Sequence, residues 1–141
     1  MTKEEAIYTI LSQSELNTQV GGRIYPLVAP YQTDKYPFCV YSQMSRRAQG
    51  TKDGDECSLI LAVSIASKTY KEAHDLALLT QKIFYDNATT AIEETVGFSN
   101  FKFESETEMY DLQTNTFMVK VEVSYEYNAI KLWQTAASEL T

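Results

Sequence analysis

The chain has 141 residues, 44% of them hydrophobic, and carries 12 basic against 19 acidic side chains for a net charge of −7. That length suits one domain with a real core; the charge argues against gripping nucleic acid by counterion release, and no apolar run approaches the roughly 20 residues of a membrane span. Two cysteines, Cys39 and Cys57, and a single His74 exclude a disulfide framework, a four-ligand zinc site and any His-pair metal motif.

The start, Met1-Thr2-Lys3-Glu4-Glu5, is acidic where a signal peptide is basic, which argues against secretion. The charge is unevenly spread. Residues 1–92 carry 9 basic and 10 acidic side chains, and residues 93–141 carry 3 and 9, so nearly all the excess lies in the last third. Tyrosine is abundant, at 10 residues, and its apolar ring with a polar tip suits interfaces as well as cores.

Thr2-Lys3-Glu4-Glu5 is a T-x-x-E capping box that opens a short helix with Ala6, Ile7, Ile10 and Leu11 on one face. Ser12 to Val20 reads as a polar exit anchored by Leu16. Gly21-Gly22 punctuates the chain, and Arg23-Ile24-Tyr25-Pro26 reads as a short extended piece. Residues 27–37 form an irregular crossing segment; Pro26, Pro30 and Pro37 exclude a central strand there. Phe38 to Met44 reads as a strand, and polar Ser45 to Glu56 as a loop or frayed hairpin tip.

Cys57 to Ser67 is a strand with Leu59, Leu61, Val63 and Ile65 on one face. Ile60, Ala62, Ser64 and Ala66 lie on the other, and their small size suits close packing against a helix. Thr69-Tyr70-Lys71-Glu72 is a second capping box. It starts the longest helix, over about 70–86, with Ala73, Leu76, Ala77, Ile83 and Phe84 inward and Asn87 as its stop. Ala88 to Gly97 reads as a linker. Two long strands follow, joined by a turn within residues 111–115. In the first, Phe101 and Phe103 point inward and Lys102, Glu104, Glu106 and Glu108 outward. In the second, Phe117 to Tyr127 alternate against Met118, Lys120, Glu122, Ser124 and Glu126. Residues 131–141 carry Trp133 and Leu140 on a polar tail.

This order predicts an α+β fold: an antiparallel or mixed sheet of four to five strands with two helices packed on one face. Residues 1–128 form one domain and residues 129–141 a C-terminal tail.

Matching the apolar faces of the last two strands requires a three-residue turn. Glu106 then faces Lys120 with Glu104 against Glu122, or Glu108 faces Lys120 with Glu106 against Glu122. Glu104, Glu106, Glu108, Glu122 and Glu126 thus make an acidic ladder on one face. A solvated face is the ordinary reading of such a run. The functional reading is an interface, or a lumen wall that repels phosphates and lets DNA slide past. A divalent-cation site built from opposed carboxylates is a weaker reading, since no ligand spacing specifies it.

His74 has no Ser, Cys or Asp at a motif spacing and reads as a packed or exposed helix residue. Cys39 and Cys57 read as buried free thiols. Arg46, Arg47, Lys52 and Asp53 belong to the polar segment, whose acids nearly cancel its bases, and read as an interface loop. Gly21-Gly22 lacks the rest of either phosphate-binding glycine fingerprint, and no G-x-S-x-G, H-E-x-x-H or C-x-x-C is present. The expectation is a protein without enzymatic activity, cofactor or metal.

One combination of motifs is more specific. Val20-Gly21-Gly22-Arg23-Ile24-Tyr25-Pro26 is followed by Ala29-Pro30 and by Tyr36-Pro37-Phe38-Cys39-Val40-Tyr41. Further on come Leu61-Ala62-Val63-Ser64-Ile65-Ala66 and Thr69-Tyr70-Lys71-Glu72-Ala73. Over residues 4–128 the chain resembles the tail completion (tail terminator) proteins of long-tailed bacteriophages and prophages. The resemblance implies an α+β virion subunit that joins its own copies, commonly six, into a ring. Such a ring caps the tail tube at its head-proximal end and joins it to the head connector, after assembly in the bacterial host cytoplasm. It implies partners in the tail tube protein and the connector, and no catalytic residues. The matching positions Gly21, Gly22, Arg23, Tyr25, Pro26, Pro30, Pro37 and Tyr41 look structural. A different head–tail joining protein (a connector or stopper) is the alternative, and a small-ligand-binding domain a more distant one. The Ser45–Glu56 segment and the 129–141 tail are expected to order only on ring assembly.

Overall fold

The computed structural model describes residues 3–12, 15–29, 35–48, 56–86 and 99–128. In chain order they form α1 (Lys3–Ser12), α2 (Glu15–Gln19), β1 (Ile24–Pro26), β2 (Phe38–Ala48), β3 (Glu56–Ser67), α3 (Tyr70–Asp86), β4 (Ser99–Asp111) and β5 (Thr116–Asn128). The five strands make one sheet in the order β1-β2-β3-β5-β4. Every pairing is antiparallel except that of β1, which runs parallel to β2. The fold is α+β, and the sheet is mixed.

Alternation decides which face is covered. Leu59, Leu61, Val63 and Ile65 of β3 are at most 1% exposed and join Val119, Val121, Val123, Tyr125 and Tyr127 of β5 in one core. Ile7, Ile10 and Leu11 of α1, Leu16 of α2 and Ala73, Ala77, Ile83 and Phe84 of α3 pack into that same core, so the helices share one face. Each large apolar side chain buried there contributes about 1.5–3 kcal/mol. The large residues of β3, not the small ones, therefore meet the helices. Ala62 and Ala66 lie on the opposite, helix-free side, where Ala66 stands in a row between Phe38 and Met118.

A capping network starts α3. Glu72 N donates to Thr69 Oγ1 at 3.3 Å, as the sequence indicated. The other half of that capping box is altered: the Glu72 carboxylate accepts from Ser67 Oγ at 2.5 Å, and Ser67 Oγ in turn accepts from Thr69 N. Thr2 and Asn87, the expected start of α1 and stop of α3, lie outside the described residues.

The expected polar exit after α1 contains the five-residue α2, because Leu16 and Val20 are both fully buried and draw the segment onto the core. The strand expected over Phe38–Met44 runs on to Ala48, with Arg46 opposite Leu59 and Arg47 opposite Ser58. Arg46 and Arg47 are thus strand residues, not loop residues. The ladder with β3 supplies the pairing that their polar sequence does not advertise, after a bulge between Gln43 and Ser45. Lys52 and Asp53 of the expected loop, Pro30 of the crossing segment, the 88–97 linker and the 129–141 tail with Trp133 lie outside the described residues.

Candidate assembly surface

The glycine-proline motif folds into one knot. Gly22 N donates to Asn17 O at 3.0 Å and Gly21 N to Thr18 O at 3.2 Å, a Schellman stop for α2. Gly21 and Gly22 have φ of 61° and 78°, which side chains with a Cβ resist. The chain then enters β1, where Ile24, Tyr25 and Pro26 lie opposite Cys39, Val40 and Tyr41. Arg23 clamps the two halves: its Nε donates to Pro37 O at 2.9 Å, next to the cis Tyr36–Pro37 bond, and its carbonyl accepts from Cys39 N at 2.9 Å. Tyr25 packs on Phe38 at 6.2 Å between ring centroids, and Tyr41 on Tyr8 at 6.4 Å. Among the described motif positions, every one makes a turn, a pairing or a packing contact.

The acidic hairpin differs from expectation. Asp111 pairs with Thr116, so the β4–β5 turn has four residues, Leu112 to Asn115, not three. Glu106 and Glu108 consequently lie opposite Val121 and Val119, on the side that carries the helices. A bulge between Phe103 and Ser105 resets the phase, and Glu104 is its extra residue. Glu104 accepts from Ser124 Oγ at 2.7 Å on the helix-free side. Glu122, 3.3 Å from Lys120 Nζ, and Glu126 share that side. The five glutamates do not form one ladder: three are on the helix-free face and two lean toward α3.

Those two meet the only histidine. His74 Nε2 lies 2.8 Å from Glu108 Oε1 and its Nδ1 lies 3.6 Å from Glu106 Oε1. Nε2 makes no directed hydrogen bond, so the Glu108 contact is a close approach without hydrogen-bond geometry. Tyr70 OH donates to Glu108 at 3.0 Å, and this bond is the main cause of a pKa raised above the ordinary phenol value. The Tyr70 and His74 rings pack at 4.4 Å between centroids, tilted by 48°. The group ties α3 to β4, a role the sequence did not announce for Tyr70. Beside it a groove of about 310 Å³ is lined by Tyr70, Met109, Tyr110, Phe117 and Met118 among others. Among the described residues, no group of three or more His, Cys, Asp or Glu is arranged to hold a metal ion.

Cys39 is fully buried and free, and burial pushes its thiol pKa up to about 12. Cys39 stands opposite Ile65 and Cys57 opposite Ala48, at opposite ends of the β2–β3 ladder, far beyond disulfide reach. Among the described residues, no helix is long and apolar enough to cross a membrane.

Among the described residues, exposed large apolar side chains lie on α1 and α3 and at both edges of the sheet. Phe103, Met109 and Tyr110 of β4 and Leu112 of its turn are 47–80% exposed. At the other edge so are Met44 of β2, at 49%, and Leu27 and Val28 just past β1, at 72% and 74%. The sequence held one signal of the β4 geometry. Phe101 and Phe103 are odd-numbered and Tyr110 is even, so the apolar phase changes between them.

No family model matches the chain, and no curated protein matches its sequence. Among solved structures, its fold is similar to a chain from the virion of a native gene transfer agent particle. The TM-score is 0.63 at 13% identity, over 90% of this chain and 95% of that one.

Proposed function

We propose that this chain is a structural virion protein of a phage-like particle: a tail-completion subunit that joins copies of itself into a ring. The ring, of six copies, closes the head-proximal end of the tail tube and joins it to the head connector. The shared fold with a virion chain of the gene transfer agent particle, nearly end to end on both sides, carries this reading. The glycine-proline knot supports it, because the residues behind the tail-completion resemblance act here as a structural unit. The protein needs no catalytic residue for this task. Its net charge of −7 suits a component that DNA passes without sticking. With the glutamates divided between two faces, the helix-free face, where Glu104, Glu122 and Glu126 outnumber Lys102 and Lys120, is the one that would line such a passage.

Cryo-electron microscopy of particles with the chain labelled tests this. The expected result is a closed ring between tail tube and connector. Density elsewhere in the particle, such as within the connector, or absence from particles overturns the tail-completion role.

A further inference from the structure

The sheet has two unpaired edges of opposite character. β4 is one edge over its 13 residues, with no strand beyond it among the described residues. At the other edge β1 covers only Cys39 to Tyr41, so among the described residues Ser42 to Ala48 of β2 has no strand on its outer side. An unpaired edge is a template for another chain, and a long one is normally disguised or used.

Charge distinguishes the two edges. β4 carries Glu104, Glu106, Glu108 and Asp111 against Lys102, whereas the free part of β2 carries Arg46 and Arg47 and no acid. Pairing β4 with β4 would set glutamates against glutamates, and β2 with β2 arginines against arginines; both cost free energy. Pairing β4 with β2 of a second copy joins opposite signs. The directions also agree. Three antiparallel steps separate β2 from β4, so the two run in opposite senses and a repeat of the sheet brings them together antiparallel. Exposed apolar side chains flank both edges, Met109 and Tyr110 on one and Met44 and Leu27 on the other.

We infer that the β4 edge of one copy docks on the Ser42–Ala48 edge of the next, extending the sheet from subunit to subunit. This inference rests on the ring reading and names its contact. The contact is heterologous, so it propagates, and rotation closes it into a ring. The glutamates of β4 choose the arginine-bearing edge and reject their own kind.

The test uses two charge-swapped full-length chains. One carries Glu104→Lys, Glu106→Lys and Glu108→Lys; the other carries Arg46→Glu and Arg47→Glu. Self-association is read by analytical ultracentrifugation, with circular dichroism to check folding. Each variant alone should associate at least about tenfold more weakly than wild type, and an equimolar mixture should regain association in alternating order. Amide exchange in the wild-type assembly should slow on both β4 and Ser42–Ala48, a readout that does not depend on the variants' folding. Variants that assemble like wild type, a mixture that stays dissociated, or edges that remain unprotected overturn the inference. Where wild type still forms a ring, the ring reading stands without it. A wild-type chain that never associates overturns the inference, while the particle imaging decides the ring separately.

Discussion

Replacing Arg23 separates a structural motif from a binding motif. Its guanidinium donates to Pro37 O at 2.9 Å, half-buried between the Schellman turn and the start of β2. Arg23→Met keeps the aliphatic stem and removes the donor, leaving the Pro37 carbonyl without it. A hydrogen bond from a charged donor is worth about 1.5–3 kcal/mol when buried, and partial exposure reduces that to about 1–2 kcal/mol. Arg23→Lys keeps the charge but loses the Nε donor and the planar fork, so it should lose nearly as much. Urea denaturation measures the change, with an unaltered m-value as the sign that only stability moved. In a chain of this size the loss corresponds to about 3–6 °C in Tm. If Arg23→Met stays within about 0.5 kcal/mol of wild type, the range of ordinary surface changes, the clamp argument is wrong. Arg23 would then be kept for something it touches outside the chain, and the variant should instead fail in ring assembly.

Gly21→Ala and Gly22→Ala should each cost about 1–2 kcal/mol by urea denaturation, because φ is 61° and 78° there. The Gly21 change adds a contact, its Cβ meeting Arg23 Nη1 at 2.9 Å. Leu27 has φ of 64° with an exposed side chain, so Leu27→Gly should be neutral or stabilising by up to about 1 kcal/mol. In a Cys57→Ser background, Cys39 should resist Ellman's reagent at pH 8 until urea unfolds the chain, since its pKa of about 12 leaves almost no thiolate. The Tyr70 hydroxyl holds its proton better folded than unfolded. The stability this adds is therefore full below the ordinary phenol value of 10.0 and lost as pH rises through the higher folded value. Alkaline melts of Tyr70→Phe should lack that loss.

The parts legible in the sequence are those where one local signal governs a whole element. α3 spans Tyr70–Asp86 as its capping residue and apolar spacing indicate. β3 is apolar on both faces and lies centrally, with β2 and β5 on its flanks. The second half of β2 is different. Ser45-Arg46-Arg47-Ala48 has the composition of a loop, and only its partner holds it extended. Local propensity cannot report a strand whose stabilisation comes across the ladder.

The acidic hairpin fails in an instructive way. Alternation fixes which residues of one strand share a face, but the relation between two strands passes through the turn, and a turn of four in place of three inverts it. The inversion would set Phe101 and Phe103 on the wrong side had β4 stayed regular. The bulge at Glu104 returns both to the helix-bearing side, but only Phe101 packs inward, reaching Tyr125 at 5.4 Å; Phe103 is 49% exposed at the edge, not inward as expected, and Glu106 and Glu108 stay against α3. One extra residue thus serves two demands, a half-buried ring on one side of it and a charged edge on the other. Its cost is a kinked and partly disrupted edge strand. On β4 itself the division leaves Glu106 and Glu108 on the helix side and Glu104 and Asp111 against Lys102 on the other, so an approaching strand meets a net negative charge whichever way its own side chains alternate. That is what an edge requires if it is to refuse its own copy and accept the arginine-bearing one.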